Sequence, residues 1–174
     1  EEKKYHFNNT RLKYIFLKSI TKRKKITKVL EIGAGQGQFA NSLLKINKKL
    51  KITAVDYSKK NFLFHKNKNL KFIESDPEKF LDDKHQFDVV FFNNVVEHVP
   101  NPQKLIRTLK KNFNKNCLFC ITIPNDFSKL QNFFLKKKII KNKYWISYPE
   151  HLNYFSKINF LKFLKSHKIN TLMT

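Results

Sequence analysis

The stretch Val29-Leu30-Glu31-Ile32-Gly33-Ala34-Gly35-Gln36-Gly37-Gln38-Phe39 limits the folds open to this chain more than any other. An apolar strand stops at three glycines spaced two apart, with an acid two residues before the first. The pattern around it repeats. Strands are expected at "KVLEIG", "LKITAVDYS", "LKFIESD", "FDVVFFNNVV" and "CLFCITIP", and "INTLMT" reads as the start of one more. Between them fall helical patterns: "NTRLKYIFLKSI" with Leu12, Ile15, Phe16 and Ile20 on one face and Asn9 or Thr10 as cap, "QFANSLLKI", a short "KNFLFHKN", and "PQKLIRTLKKNF". Ser156 should cap a last helix, "KINFLKFLKSHK". Strands alternating with helices predict an α/β fold, a Rossmann-like, mostly parallel sheet with helices on both faces. No repeat or low-complexity linker interrupts it, so residues 1–174 read as one domain. Its parts would be an N-terminal helical cover (1–27), a ligand-binding core (28–124), a cap (125–155) and a last helix running into a strand (156–174). The stretch after the last helix, ending at Thr174, is too short for two strands, so a terminal hairpin there would be incomplete.

The bare loop after the first strand has three readings. It can be only a tight strand-to-helix turn. It can be a dinucleotide site, but the spacing G-x-G-x-x-G that seats a pyrophosphate is broken, because Gln38 stands where the third glycine belongs. It can be a site for S-adenosylmethionine, whose methionine arm carries no phosphate and lies along the loop itself. Glu31, just before the loop, is placed to hold a cationic amino group. Asp56 ends the next strand about 20 residues on, where a carboxylate can accept ribose hydroxyls. Asp76 ends the following strand, where one can accept an adenine amino group, with Pro77 against the ring. For both acids the plainer role is a helix cap.

The net charge of +23 invites a nucleic-acid reading. Of the 36 basic residues only Arg11, Arg23 and Arg107 are arginine, and the chain is also rich in Asn, Ile and Phe. These are residues of AT-rich codons, so base composition accounts for the charge. Phosphate and base readers lean on arginine's bidentate fork. No apolar run approaches the ~20 residues of a membrane span. Cys117 and Cys120 lie three apart in a strand, pointing to opposite faces, a poor redox or zinc pair. A reducing, cytoplasmic setting is expected. The chain opens on Glu1 and its only methionine is Met173, so further residues are expected upstream.

"VLEIGAGQG", "AVDYS", "IESDPEKF", "FDVVFFNNVVEHVPNP" and "PEHLNYFS", in this order, resemble the class I S-adenosylmethionine-dependent methyltransferases over roughly Lys28 to Lys168. The resemblance is greatest to the ubiquinone-type O-methyltransferases and small bacterial methyltransferases of sugar and cell-surface pathways. It implies that Gly33, Ala34, Gly35 and Gly37 line the methionine arm, and that Glu31 supports its amino group. Asp56 would hold the ribose with Tyr57 beside the adenine, Ser75 and Asp76 would contact the base, and Asn93 would face the sulfonium end. Some quinone-type members bind a metal through two acids three apart and an adjacent histidine. Here Asn94 replaces the first acid, ahead of Glu97 and His98, so no metal is expected.

The expected activity is methyl transfer from S-adenosylmethionine to a small-molecule O- or N-nucleophile such as a sugar or quinol. A nucleic-acid methyltransferase or basic nucleic-acid-binding module is the alternative, and a nicotinamide oxidoreductase comes third. His98 and His151 are the candidate bases; either can instead be structural. The aromatic-rich segment from Asn125 to Phe155 breaks the rhythm. It should carry a helix near Phe127–Lys138 and then a cap, with Trp145 and Tyr154 toward the acceptor, or else form an aromatic satellite core. The last sheet edge is expected to be covered, by a second copy of the chain in a homodimer, by another neighbour or by further residues; no membrane partner is expected.

Overall fold

The computed structural model describes residues 2–21, 25–60, 62 and 67–172. They form two compact units, one of residues 1–93 with 108–121 and one of residues 94–107 with 122–174.

The first unit is built on a five-stranded sheet of β1 (Lys28–Ile32), β2 (Lys51–Asp56), β3 (Leu70–Glu74), β4 (Val89–Asn93) and β5 (Leu118–Thr122), in the order β3-β2-β1-β4-β5. The pairs β1–β2, β2–β3 and β1–β4 are parallel. β1 and β4 are buried along nearly their whole length, and this is why their sequences are apolar runs rather than alternating ones, broken in β1 only by the buried Glu31 and the exposed Lys28. The strand order reverses between β1 and β4, which opens a crevice at their carboxyl ends. Glu31 is registered between Ala54 and Phe91, one residue short of that crevice.

α1 (Glu2–Thr21) and α2 (Gln38–Ile46) cover one face. Leu17, Val29, Ala40, Leu43, Leu44, Ile52, Val89 and Phe91 pack there as one core. Each large side chain so buried is worth about 1.5–3 kcal/mol. α1 differs from its sequence reading in two ways. It starts well before Asn9 and Thr10, so neither caps it; the Thr10 hydroxyl instead donates to the His6 carbonyl at 2.8 Å. Its inward face is Thr10, Lys13, Tyr14, Leu17 and Ile20, while Leu12, Ile15 and Phe16 are exposed. The helical period is the same, but the apolar stripe is rotated out because a lysine stem fills the inner face.

α3 (Pro77–Leu81) follows β3 directly, an element the sequence reading did not assign. The short helix expected at "KNFLFHKN" falls largely outside the described residues; Phe62 within it is buried against Ala34 and Ala54. In the second unit, α4 (Pro102–Asn112) begins after the "EHVPNP" loop. α5 (Lys129–Lys136) starts on a Ser128–Gln131 capping box, and α6 (Lys157–Ser166) is capped by Ser156. After α6, residues 169–172 form no strand, contrary to expectation; 173–174 lie outside the described residues. No helix among the described residues is long and apolar enough to cross a membrane.

Candidate active site

The first unit gathers the glycine loop and three acids at the sheet's carboxyl edge. The Gly33 and Ala34 N–H groups donate to the Val55 carbonyl at 2.9 and 3.1 Å, which turns the chain off β1. Gly35 has a φ of +51° and open space where a Cβ would stand, so its backbone is bare to a ligand. Gly37 is glycine for a second reason. At φ +73° a Cβ there would run into the Phe62 ring.

Asp56 at the end of β2 accepts the Gly35 N–H on Oδ2 at 2.8 Å and, weakly, the Ser58 N–H on Oδ1 at 3.4 Å. It therefore braces the loop and caps no helix among the described residues. Each carboxylate oxygen has a second lone pair for a ligand hydroxyl. Asp76 is a helix cap: Oδ1 accepts the Glu78 N–H at 2.8 Å and the Lys79 N–H at 3.4 Å. Tyr57 is largely exposed beside it, its hydroxyl pKa raised by desolvation first and by the Asp76 carboxylate second. The Ser75 hydroxyl donates to the Asp76 carbonyl at 3.2 Å.

Glu31 is 2% exposed, and its Oε2 has no partner among the described residues. Burial pushes its carboxyl up to about 8, against the opposing pull of the Asn93 amide, the Ala40 N–H and Lys13. Asn93 faces Glu31 without closing a hydrogen bond of good geometry, so Asn93 Nδ2 is also unpartnered. Asn93 Oδ1 accepts Lys13 Nζ at 2.7 Å. Lys13 was not singled out in the sequence, because one lysine on a helix with five basic residues carries no visible signal.

The second unit holds a separate cluster. Glu97 is 1% exposed, and neither carboxylate oxygen has a partner among the described residues. Its pKa is raised, chiefly by burial. His98 Nδ1 contacts the Glu150 carbonyl at 2.6 Å, so Nδ1 carries the proton and Nε2 presents a lone pair, 4.0 Å from Glu97 Oε1. His151 packs edge-on against His98, ring centroids 4.9 Å apart, and its Nδ1 is buried without a hydrogen-bond partner among the described residues. Asp126 is 1% exposed; Oδ2 accepts the Phe155 N–H at 3.2 Å, while Oδ1 is unpartnered. Its pKa is raised by burial and pulled back by Phe155 and His151. The sequence reading missed Asp126, whose one signal was its place just beyond β5. The Glu97 carbonyl accepts the Leu152 and Asn153 N–H groups, both at 2.9 Å. Those two bonds tie the "EHVPNP" loop to "PEHLNYFS".

Trp145 is buried against Phe127 and Tyr144, with Nε1 unpartnered, and the Tyr154 hydroxyl accepts the Ser147 N–H at 3.1 Å. Both help to form the aromatic satellite core.

The expectation of no metal rested on Asn94. Yet Glu97, His98 and His151 each offer a ligand atom, all within 4.8 Å of one another. A histidine whose other ring nitrogen donates to a carbonyl is the usual form of a metal ligand, and His98 has that form. With the two unpartnered Glu97 oxygens, this donor set fits a divalent ion, His151 standing in for the acid missing at position 94.

The chain is similar to known proteins over most of its length. The chain is 31% identical over 135 residues to a ubiquinone biosynthesis O-methyltransferase of Pelagibacter ubique, covering 70% of the chain and 55% of that relative. It is 28% identical to the same-named protein of Rickettsia typhi, covering 98% of the chain and 68% of the relative. The chain thus spans little more than half the length of the first. Among solved structures, the plantazolicin methyltransferase BpumL in complex with a monoazolic desmethylPZN analog and SAH shares the fold, with a TM-score of 0.73, 19% identity and coverage of 95% of this chain and 64% of that one. Residues 3–167 match the methyltransferase domain family, to which this chain belongs.

Proposed function

We propose that this domain transfers a methyl group from S-adenosylmethionine to a small-molecule nucleophile. The observation that carries the proposal is the carboxyl edge of β1 and β2: a bare Gly35, braced by the Asp56 carboxylate, beside a buried Glu31 oxygen that lacks a donor. A sulfonium nucleoside with an amino-acid end offers what each of these lacks. Ribose hydroxyls suit Asp56, an ammonium suits Glu31, and an arm without phosphate can run along the loop. In this reading Tyr57, Ser75 and Asp76 flank the base and Asn93 the sulfur end.

When bound, the cofactor supplies an electrophilic methyl on a sulfonium. The chain's own residues then have to align the acceptor, exclude water and take a proton. Alignment is worth up to ~7–11 kcal/mol in ideal cases, and a positioned base about 10²–10⁴-fold. His151 is the proposed proton acceptor, with His98 beside it. Glu97 and Asp126, both carboxyls with raised pKa, stabilise the histidine cation once it forms. A divalent ion held by Glu97, His98 and His151 would instead lower the pKa of an acceptor hydroxyl, and His151 would then be a ligand and not the base. The likeness to ubiquinone biosynthesis O-methyltransferases supports a quinol-type hydroxyl as acceptor. The lysine-dominated charge needs no nucleic-acid partner to explain it.

Titration calorimetry with S-adenosylmethionine, S-adenosylhomocysteine and NAD tests the cofactor. Binding of the first two and not of NAD is expected. NAD binding alone would overturn the reading.

A further inference from the structure

The amino end of the sheet, opposite the glycine loop, holds a cavity of about 390 Å³. One wall is the second half of α2 with the turn after it, and the other is the turn that leads into β3. Lys45, Lys48 and Lys68 stand around it, all exposed and none with an ion-pair partner among the described residues. No acid lies between Glu31 and Asp56 or between Asp56 and Glu74, so both walls come from acid-free stretches. Base composition sets how many lysines the chain carries; it does not set where three of them meet a cavity.

The walls are fixed before any ligand arrives. Asn47 and Asn67 each close a turn in the same way. The side-chain oxygen accepts the N–H two residues on, from Lys49 at 3.0 Å and from Asn69 at 2.9 Å. Asn69 Nδ2 donates to the Lys48 carbonyl at 2.8 Å and ties one turn to the other. Asn67 Nδ2 is left without a hydrogen-bond partner among the described residues.

This lining selects an anion of more than one charge. Three ammoniums outweigh the partial negative charge of about half a unit at the end of α2. Lysine is a point charge without arginine's planar fork, so the site reads charge density rather than the flat shape of a carboxylate. A phosphoryl group brings close to two charges and three acceptor oxygens, which suits three ammoniums and one amide donor. A cavity of this size takes a small molecule rather than a bare ion, and Leu44 with the lysine stems faces its organic part. Asp56 is roughly 16 Å away, the length of β2, so the cavity is no part of the carboxyl-edge site.

We propose that this cavity is a second ligand site, and that it binds a phosphoryl-bearing small molecule.

Titration calorimetry with pyrophosphate, AMP and glucose 6-phosphate tests it. The wild type should bind at least one of the three with a stoichiometry of one. AMP as the tightest would mark a nucleotide, and glucose 6-phosphate a sugar phosphate. Lys45→Met combined with Lys68→Met should weaken that binding at least about tenfold, the scale of one charged hydrogen bond lost. Lys129→Met combined with Lys136→Met removes the same charge from α5 and should change it less than about twofold, since distant exposed charges are screened. Unchanged thermal unfolding of both double variants shows that neither effect is one of folding. Equal losses in the two would make the attraction one of bulk charge. Unchanged affinity in the first would put the anion elsewhere on the chain. Either result, or a wild type that binds none of the three, overturns the proposal.

Discussion

Asp56 Oδ2 accepts the Gly35 N–H at 2.8 Å, which ties the acid ending β2 to the turn ending β1. The two residues are 21 apart in sequence and act as one device. The acid fixes the loop, and the loop fixes the acid's orientation toward a ligand.

Asp56→Ala should therefore weaken S-adenosylhomocysteine binding at least tenfold, since each charged hydrogen bond lost is worth about 1.5–3 kcal/mol. The readout is calorimetric affinity. Unchanged affinity would leave Asp56 with the loop-bracing role alone.

The glycines should separate by what surrounds them. Gly37→Ala combines left-handed strain of about 1–2 kcal/mol with overpacking against Phe62 of about 1–3 kcal/mol, so its unfolding midpoint in urea should fall markedly. Gly35→Ala meets open space and should cost only the strain. It should nonetheless damage cofactor binding more, because its Cβ would stand where the ligand lies. Equal effects on stability would contradict the packing difference.

Glu31 predicts a pH effect of definite sign. Its carboxyl lies at about 8 in the fold, above the ordinary 4.5. A raised carboxyl favours the fold fully below pH 4.5, and that contribution fades as pH rises toward 8. Glu31→Gln should flatten this decline in a series of urea titrations. Near pH 7 the wild-type carboxyl is mostly protonated, and an arriving ammonium favours the carboxylate. Cofactor binding should then release a sizeable fraction of a proton. Calorimetry in buffers of different ionisation enthalpy measures it, and Glu31→Gln should abolish it. Zero release in the wild type would mean that no cation reaches Glu31.

β1, β2 and β4 were legible because a buried parallel strand is an apolar run that ends abruptly, and β3 and β5, only half-buried, were legible from the rhythm those three set. The glycine loop was legible for a related reason: all three glycines of the chain lie there, each with positive φ. The inner face of α1 was not legible. Apolar periodicity pointed to Leu12, Ile15 and Phe16, but Lys13 is inward because Asn93, far along the chain, holds its ammonium. α3 was hidden by its length, five residues behind a capping Asp76. Asp126 was hidden by its partners, since only the fold brings Phe155 and His151 to it. His98 and His151 were named separately as candidates; that they touch is a tertiary fact.

His151 carries the sharpest test of the reaction proposed for the second unit. Its Nδ1 is buried without a hydrogen-bond partner among the described residues, against a histidine whose proton is committed to the Glu150 carbonyl and near two carboxyls that burial keeps above their ordinary pKa. A base there acts only when the acceptor reacts. His151→Ala should thus lower kcat by about 10²–10⁴-fold and leave S-adenosylhomocysteine affinity within about twofold. Glu97→Gln should lower kcat as well, because it removes the charge that stabilises a protonated His151. Asn153→Ala offers the contrast. Its side chain donates to the Val99 carbonyl at 2.7 Å, so the substitution should loosen the same loop and lower thermal stability, with a smaller effect on kcat. If His151→Ala and Asn153→Ala reduce kcat equally and in proportion to their loss of stability, His151 is a structural histidine and the proton leaves by another route.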